Sequence, residues 1–456
     1  MIARLSFFAA LLLVASVGCS SSTRQAAPNT LPLLARPATS PVSTYIKHVI
    51  VIIQENRSFD NFFSGYPGAD APTYGFAINH NHKRIQVPLH QDIFQTNPNP
   101  QHDWQPGVNG WDNGKMDGFW IGSGKEYSSY AYIERSQVAP YWQMAQQYVL
   151  ADAMFPTEFG GSYTGHLNIV AGTDEITPNQ TAEVNYPTKF PDDCDSPPGT
   201  TSSLVTVSPY RQVGRGNGPF PCYTQFNSMA NDLDANAISW KFYVTKKLDA
   251  GIWSPFEALS YVRYGNDWNT DIIAPQTQIL KDPKKKQLAD VTWVTPSHPD
   301  SDHPGAHSDR GPSWVTAVVN AIGESSYWDS SAIIVVWDDW GGWYDDAPPP
   351  QLDYRGLGER VPCLIISPYA KGATSSAGYV DHTQYEYGSI LAFIEQAFNL
   401  PTIGPASSGY TDARATSISD AFNFYQTPRA FKPFRSKYPA SVFLHEPPSN
   451  EPVDNE

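Results

Sequence analysis

Six stretches of the 456-residue chain carry near-continuous runs of apolar residues, many of them β-branched or aromatic, and these predict buried strands. They lie at 46–53 (IKHVIVII), 147–152 (QYVLAD), 237–244 (AISWKFYV), 290–295 (DVTWVT), 332–337 (AIIVVW) and 361–367 (VPCLIIS). The segments between them change period. YWQMAQQY, FNSMANDLDANA, WVTAVVNAIGES and YEYGSILAFIEQAFN place apolar residues at helical spacing. Apolar strands alternating with amphipathic helices predict an α/β fold with a mostly parallel central sheet covered by helices on both faces. Long insertions at about 64–120 and 175–225, rich in Asn, Pro, Gly and aromatic residues, interrupt the alternation and are expected to act as functional lids.

The ends of the chain read differently from its middle. MIARLSFFAALLLVASVGC has one arginine, an apolar run and a serine-rich continuation, which together predict an export signal over 1–19, too short to span as a membrane helix. Its ending resembles a lipoprotein signal, which implies a lipidated Cys19 and a membrane tether; plain signal cleavage is the alternative. A flexible linker is expected over 20–43, one large domain over 44–435, and an acidic, proline-rich, disordered tail over 436–456. The predicted location is exported: periplasmic, cell-surface lipoprotein or secreted. A net charge of -15 argues against nucleic acid as a partner, because the mean field repels it. Cys194 and Cys222 sit in polar, Pro/Gly-rich loops of a chain bound for an oxidising compartment and are the favoured disulfide pair, with Cys363 a buried thiol.

Candidate chemistry gathers where strands end. In VIIQENRSFDNFF the first strand runs straight into Gln54, Glu55, Asn56 and Arg57, and in AIIVVWDDWGGWYDDAPPP another runs into Asp338 and Asp339. Parallel strands put both ends on one rim, where ligand sites of such sheets lie. Three carboxylates and an amide converging there would repel by several kcal/mol at an effective dielectric of about 20, and a divalent cation removes the conflict. A turn start before Gly341-Gly342 accounts for one aspartate but not for the doublet. In FPTEFGGSYTGHLNIVAGT the glycines lead Ser162 to the start of a helix, so that Ser162 is either an N-cap or a nucleophile beside free N–H groups. His166, four residues on, is either a packing residue or a pocket wall. His102 and the loop SHPDSDHPGAHSDRG, with His298, His303 and His307, supply histidines on the same rim.

Taken in order, HVIVIIQENRSFDNFF, HDW…NGKMDGF, GGSYTGHLNIVAGT, SDHPG, WDDWGGWYDDAPPP and RVPCLIISPYAKGATSSAGYVDHTQYEYGSILAFIE resemble the bacterial phosphoesterase family of non-haemolytic phospholipases C and secreted acid phosphatases. The resemblance covers roughly 45–430. It implies an alkaline-phosphatase-like three-layer sandwich with long loop insertions and a phosphate-ester substrate. It also implies a divalent metal ion held by Glu55, Asn56, Asp338 and Asp339 with Ser162, the nucleophile, and histidines His102 and His303 lining the phosphate pocket as catalytic groups. The phospholipase branch resembles Gly-Pro-Thr-x-Pro-Asn-Arg around its nucleophile, whereas this chain has Gly-Gly-Ser-Tyr-Thr-Gly-His. That difference speaks against a lipid substrate and leaves the phosphoryl chemistry untouched, so the expected enzyme is a phosphomonoesterase, with the phosphoserine intermediate that the resemblance implies. The alternatives are a phospholipase C acting on diesters and a non-catalytic surface binding lipoprotein.

Overall fold

Every one of the predicted runs is a strand of one nine-stranded sheet. In chain order the strands are β1 (His48–Gln54), β2 (Val149–Phe155), β3 (Trp240–Tyr243), β4 (Ile272–Ile273), β5 (Val291–Val294), β6 (Ser331–Trp337), β7 (Val361–Ile366), β8 (Tyr379–Asp381) and β9 (Tyr385–Glu386). The computed structural model describes residues 40–207, 212–214, 217–372, 378–449 and 453, all within one compact unit spanning 39–456. Across the sheet the order is β4, β3, β5, β1, β6, β7, β2, β8, with β9 also paired to β2. Neighbours are parallel except at β7, which runs antiparallel to both β6 and β2. Two reversals restore the direction, so β2 points the same way as β1, β5 and β6. Residues of β1 from Val49 on and all of β6 are buried on both sides, which a half-solvated strand with alternating pattern would not be.

Two sets of helices account for that burial. Helix α1 (Ala139–Gln147) packs on α4 (Gly311–Gly323), which packs on α6 (Ala440–His445). Helix α2 (Ser162–Ala171) packs on α3 (Met229–Ala235) and α5 (Tyr387–Phe398). The result is the three-layer arrangement predicted from the alternation of periods.

The long insertions carry structure of their own. Tyr74–Ile78 and Arg84–Pro88 form a hairpin, Trp104–Trp111 is a helix, and Ala182–Pro187 pairs antiparallel with Ser202–Thr206. Cys194 and Cys222 are disulfide-bonded and Cys363 is a buried free thiol, as expected.

Two boundaries differ from the expectation. Residues 20–39 of the expected linker lie outside the described residues, and its end is a short helix, Pro41–Tyr45, whose N-cap Ser40 accepts from the Val42 N–H and whose Val42 and Ser43 are buried. The tail expected to be disordered over 436–456 instead contains α6, whose Phe443 is buried edge-on against Trp314 with ring centroids 5.5 Å apart. One buried aromatic anchors a segment whose proline and acid content alone reads as disorder. The export signal and Cys19 lie outside the described residues. Among the described residues, no helix is long and apolar enough to cross a membrane.

Candidate active site

Gln54 and Trp337 are paired in register at the ends of β1 and β6, so the residues after them emerge side by side. The pairing continues past the strands: the Asp338 N–H donates to the Gln54 carbonyl at 3.0 Å, the Asn56 N–H donates to Asp338 Oδ1 at 2.9 Å, and the Arg57 N–H donates to the Asp339 carbonyl at 3.0 Å. Asn56 has φ of 60°, a left-handed conformation that asparagine tolerates better than most residues. Gly341 lies so close that a Cβ there would stand 2.1 Å from the Asn56 carbonyl oxygen. The Gly-Gly after the aspartate doublet is therefore a packing requirement of the strand ends.

Helix α2 brings the serine to this place. It follows the end of β2 on the same rim, and a Cβ at Gly165 would stand 2.3 Å from the Asp338 carbonyl oxygen, so only glycine lets the helix press onto the strand end. The Ser162 hydroxyl donates to Asp339 Oδ2 at 3.1 Å and lies 3.4 Å from Asn56 Oδ1, while Asn56 Nδ2 donates to the same Asp339 oxygen at 3.3 Å. Tyr387, at the start of α5, donates its hydroxyl hydrogen between the carbonyls of Trp337, at 2.6 Å, and Asp338. Glu55, Asn56, Ser162, Asp338 and Asp339 are all fully buried. The five residues expected at the metal site are brought together.

His166 joins them. Its Nε2 stands 3.2 and 3.3 Å from the two oxygens of Glu55 and 3.7 Å from Asp338 Oδ2, an oxygen that is buried with no hydrogen-bond partner. Burial pulls the His166 pKa down to about 4, against the opposing pull of Asp338, so the ring is neutral at ordinary pH. The only hint in the sequence was the spacing of four from Ser162, which sets both side chains on one face of α2.

One ligand atom from each of Glu55, His166 and Asp338 lies within 4.8 Å of the others, a spacing that could hold a metal ion. Two further acidic groups have the same spacing among the described residues, and each contains a buried arginine. Arg360 contacts Asp345 and Asp346 at 2.9 Å and Asp60 at 3.5 Å; Arg355 lies 3.5 Å from Glu183 and 3.8 Å from Asp174, beside Glu158. At Glu55 and Asp338 the nitrogen base is a neutral histidine instead. An oxygen-rich set with one imidazole and an orphaned carboxylate oxygen fits a hard or borderline divalent cation.

The histidines come in on neighbouring loops. The Glu55 N–H donates to the Ser301 carbonyl at 2.9 Å, which ties the loop after β5 to the end of β1. Gly342 packs on Pro100 and Gln101, which ties the loop of His102 to the end of β6. The rings of His102 and His303 face each other edge to face with centroids 6.0 Å apart. Their backbone contacts set opposite tautomers. His303 Nδ1 accepts from the Gly305 N–H at 3.0 Å, so its neutral ring carries hydrogen on Nε2. His102 Nδ1 is 2.7 Å from the Pro100 carbonyl and must donate to it, which leaves Nε2 as the acceptor. His298 and Trp253 stack beside His303, at 5.5 and 5.9 Å between centroids.

A carboxylate, histidine and serine cluster thus lies at the start of a helix on the carboxyl rim of an α/β sheet, and three of its side chains could hold a metal ion. The chain belongs to the Phosphoesterase family, whose model matches residues 46–401. It is 24% identical over 441 residues to a non-hemolytic phospholipase C of Pseudomonas aeruginosa, covering 83% of this chain and 57% of that one. Phospholipase C B of Mycobacterium tuberculosis is 24% identical over 464 residues, covering 86% of this chain and 80% of that one. The chain thus spans little more than half of the Pseudomonas relative. Among solved structures, an alkaline phosphatase superfamily protein from Vibrio parahaemolyticus matches at 12% identity over 80% of this chain and 71% of that one, with a TM-score of 0.35. At that score the fold rests on the sheet described above.

Proposed function

We propose that this chain is an exported, metal-dependent phosphoesterase that hydrolyses phosphate monoesters through a phosphoserine intermediate at Ser162. The observation that carries the reading is the Ser162 hydroxyl, buried at the first position of α2 and donating to Asp339 Oδ2 at 3.1 Å beside Glu55 and Asp338. Glu55, Asn56, Asp338, Asp339 and Ser162, with His166 against Glu55, would hold a divalent cation that neutralises phosphate charge and lowers the serine pKa. Asp339, which accepts from the Ser162 hydroxyl, takes its proton as Ser162 Oγ attacks phosphorus in line. Backbone N–H groups of the first turn of α2 face the developing charge on the equatorial oxygens. His303 gives its Nε2 proton to the leaving alkoxide and takes one back from the water that then releases phosphate, while Asp339 returns its proton to Ser162 Oγ. His102, with its Nε2 lone pair, accepts from that water and orients it. The catalytic unit begins at the Pro41–Tyr45 helix, and residues 1–19 serve as the export signal, with a lipid tether at Cys19.

Two substrate classes compete. The relatives' names favour a phosphodiester of the phospholipid kind. The end of the Gly-Gly-Ser-Tyr-Thr-Gly-His run favours a monoester, because the residue matching the arginine of the phospholipase pattern is His166, fully buried against Glu55. Hydrolysis of p-nitrophenyl phosphate and p-nitrophenyl phosphorylcholine, each with and without chelator, separates the two. The monoester is expected to have the higher kcat/KM by about 10-fold or more, with chelator abolishing both. Preference for the choline diester would make the chain a phospholipase C, and no turnover of either would make it a binding protein.

A further inference from the structure

Arg57 follows Glu55 and Asn56 directly, yet its side chain turns away from them. Its Nε and Nη2 both donate to one backbone carbonyl, that of Asp302, at 2.8 and 2.6 Å, and its Nη1 donates to Asn61 Oδ1 at 3.1 Å. The guanidinium is fully buried, with Phe62, Phe94 and Trp343 around it at 5.5, 5.0 and 5.2 Å. Burying a guanidinium costs several kcal/mol unless its donors are satisfied. Core packing alone does not call for such a group, and an aliphatic side chain would fill the same aromatic cage.

What the guanidinium holds is specific. Asp302 has φ of 71°, a conformation unfavourable for aspartate that needs outside support. Its carboxylate is fixed as well, accepting from the Tyr141 hydroxyl at 2.6 Å and from Gln54 Nε2 at 3.3 Å. The peptide whose carbonyl Arg57 grips is the one that leads into His303. We propose that Arg57 is a positioning residue for His303, fixing the Asp302 peptide so that the imidazole Nε2–H is presented to the leaving oxygen. The motif Glu-Asn-Arg thereby sets both halves of the site, two residues toward the cation and one toward the acid. This inference rests on the reading of His303 as the acid.

Leaving-group dependence tests it, because a merely structural residue would affect all esters alike. The first step, reported by kcat/KM, needs an acid for an alkyl phosphate but hardly for p-nitrophenyl phosphate, whose phenolate leaves without a proton. Arg57→Lys keeps the charge and loses the fork. It is expected to lower kcat/KM about 100-fold for glycerol phosphate and less than about 5-fold for p-nitrophenyl phosphate, with unchanged circular dichroism. Tyr141→Phe, which removes one bond to the same loop and leaves the aromatic packing intact, should show the same split on a smaller scale and decides the matter if the lysine variant does not fold. His303→Gln is the reference. If His303→Gln splits the esters and neither loop variant does, the positioning role is wrong while the acid stands. If His303→Gln affects both esters equally, the acid assignment fails and the inference falls with it.

Discussion

Ser162→Ala should lower turnover of phosphate monoesters by on the order of 10⁴-fold while the protein stays folded. The hydroxyl is the proposed nucleophile, and its loss leaves only direct attack by water in a site shaped for serine. The fold should tolerate the change because Gly161 rather than Ser162 is the N-cap of α2, and what is removed includes the hydroxyl's contacts with Asp339 Oδ2 at 3.1 Å and Asn56 Oδ1 at 3.4 Å. A destabilisation of roughly 1 kcal/mol is expected from losing them. Turnover measured beside circular dichroism and thermal unfolding checks both parts. Near-normal activity in a folded Ser162→Ala protein would remove serine from the mechanism.

The second large effect concerns the strand-end carboxylates. Asp338 Oδ1 already accepts two backbone N–H groups at 2.9 Å, those of Asn56 and Asp339, whereas Oδ2 has no hydrogen-bond partner. Asp338→Asn can keep the first oxygen's bonds and loses the charge at the second. Bound metal and turnover should therefore fall together, turnover by about 10³-fold. Asp345→Asn is the contrasting variant. Asp345 is just as buried but faces Arg360 at 2.9 Å, so its loss should cost about 3 to 5 kcal/mol of stability and leave the metal content unchanged. Plasma mass spectrometry of the purified variants, with thermal unfolding alongside, distinguishes them. Full metal in Asp338→Asn, or metal lost equally from both, would refute a site at the ends of β1 and β6.

Those strand ends were legible in the sequence for a physical reason. A run such as Ile50-Val51-Ile52-Ile53 passing directly into Gln54-Glu55-Asn56, and another passing into Asp338-Asp339, breaks the usual habit of ending buried strands at turn residues. Parallel pairing then forces the two ends together, because a shared direction means a shared rim. The direction of β7 was not legible, since a strand buried on both faces has the same composition whichever way it runs. Short strands such as Ile272–Ile273 and Tyr379–Asp381 carry too few residues to show a period. His166 was ambiguous because its role depends on how closely α2 approaches the Asp338 backbone, a distance set by Gly165 and visible only in three dimensions. Arg57 reads in sequence as one more polar residue of the motif, and nothing local shows that it reaches across to Asp302. The tail was misjudged for the opposite reason: composition described the segment as a whole, while a few residues, the buried Phe443 and the hydrogen bonds of Lys437 and Tyr438 to Asp309, decide that it packs.

The central claim is a two-step displacement through Ser162, and the stereochemical course at phosphorus tests it most directly. With a monoester made chiral by oxygen isotopes and the phosphoryl group captured by an acceptor alcohol, each in-line step inverts the phosphorus centre. Attack by Ser162 followed by attack of the acceptor on the phosphoserine should give net retention. Net inversion would mean a single direct displacement and would contradict the phosphoserine account.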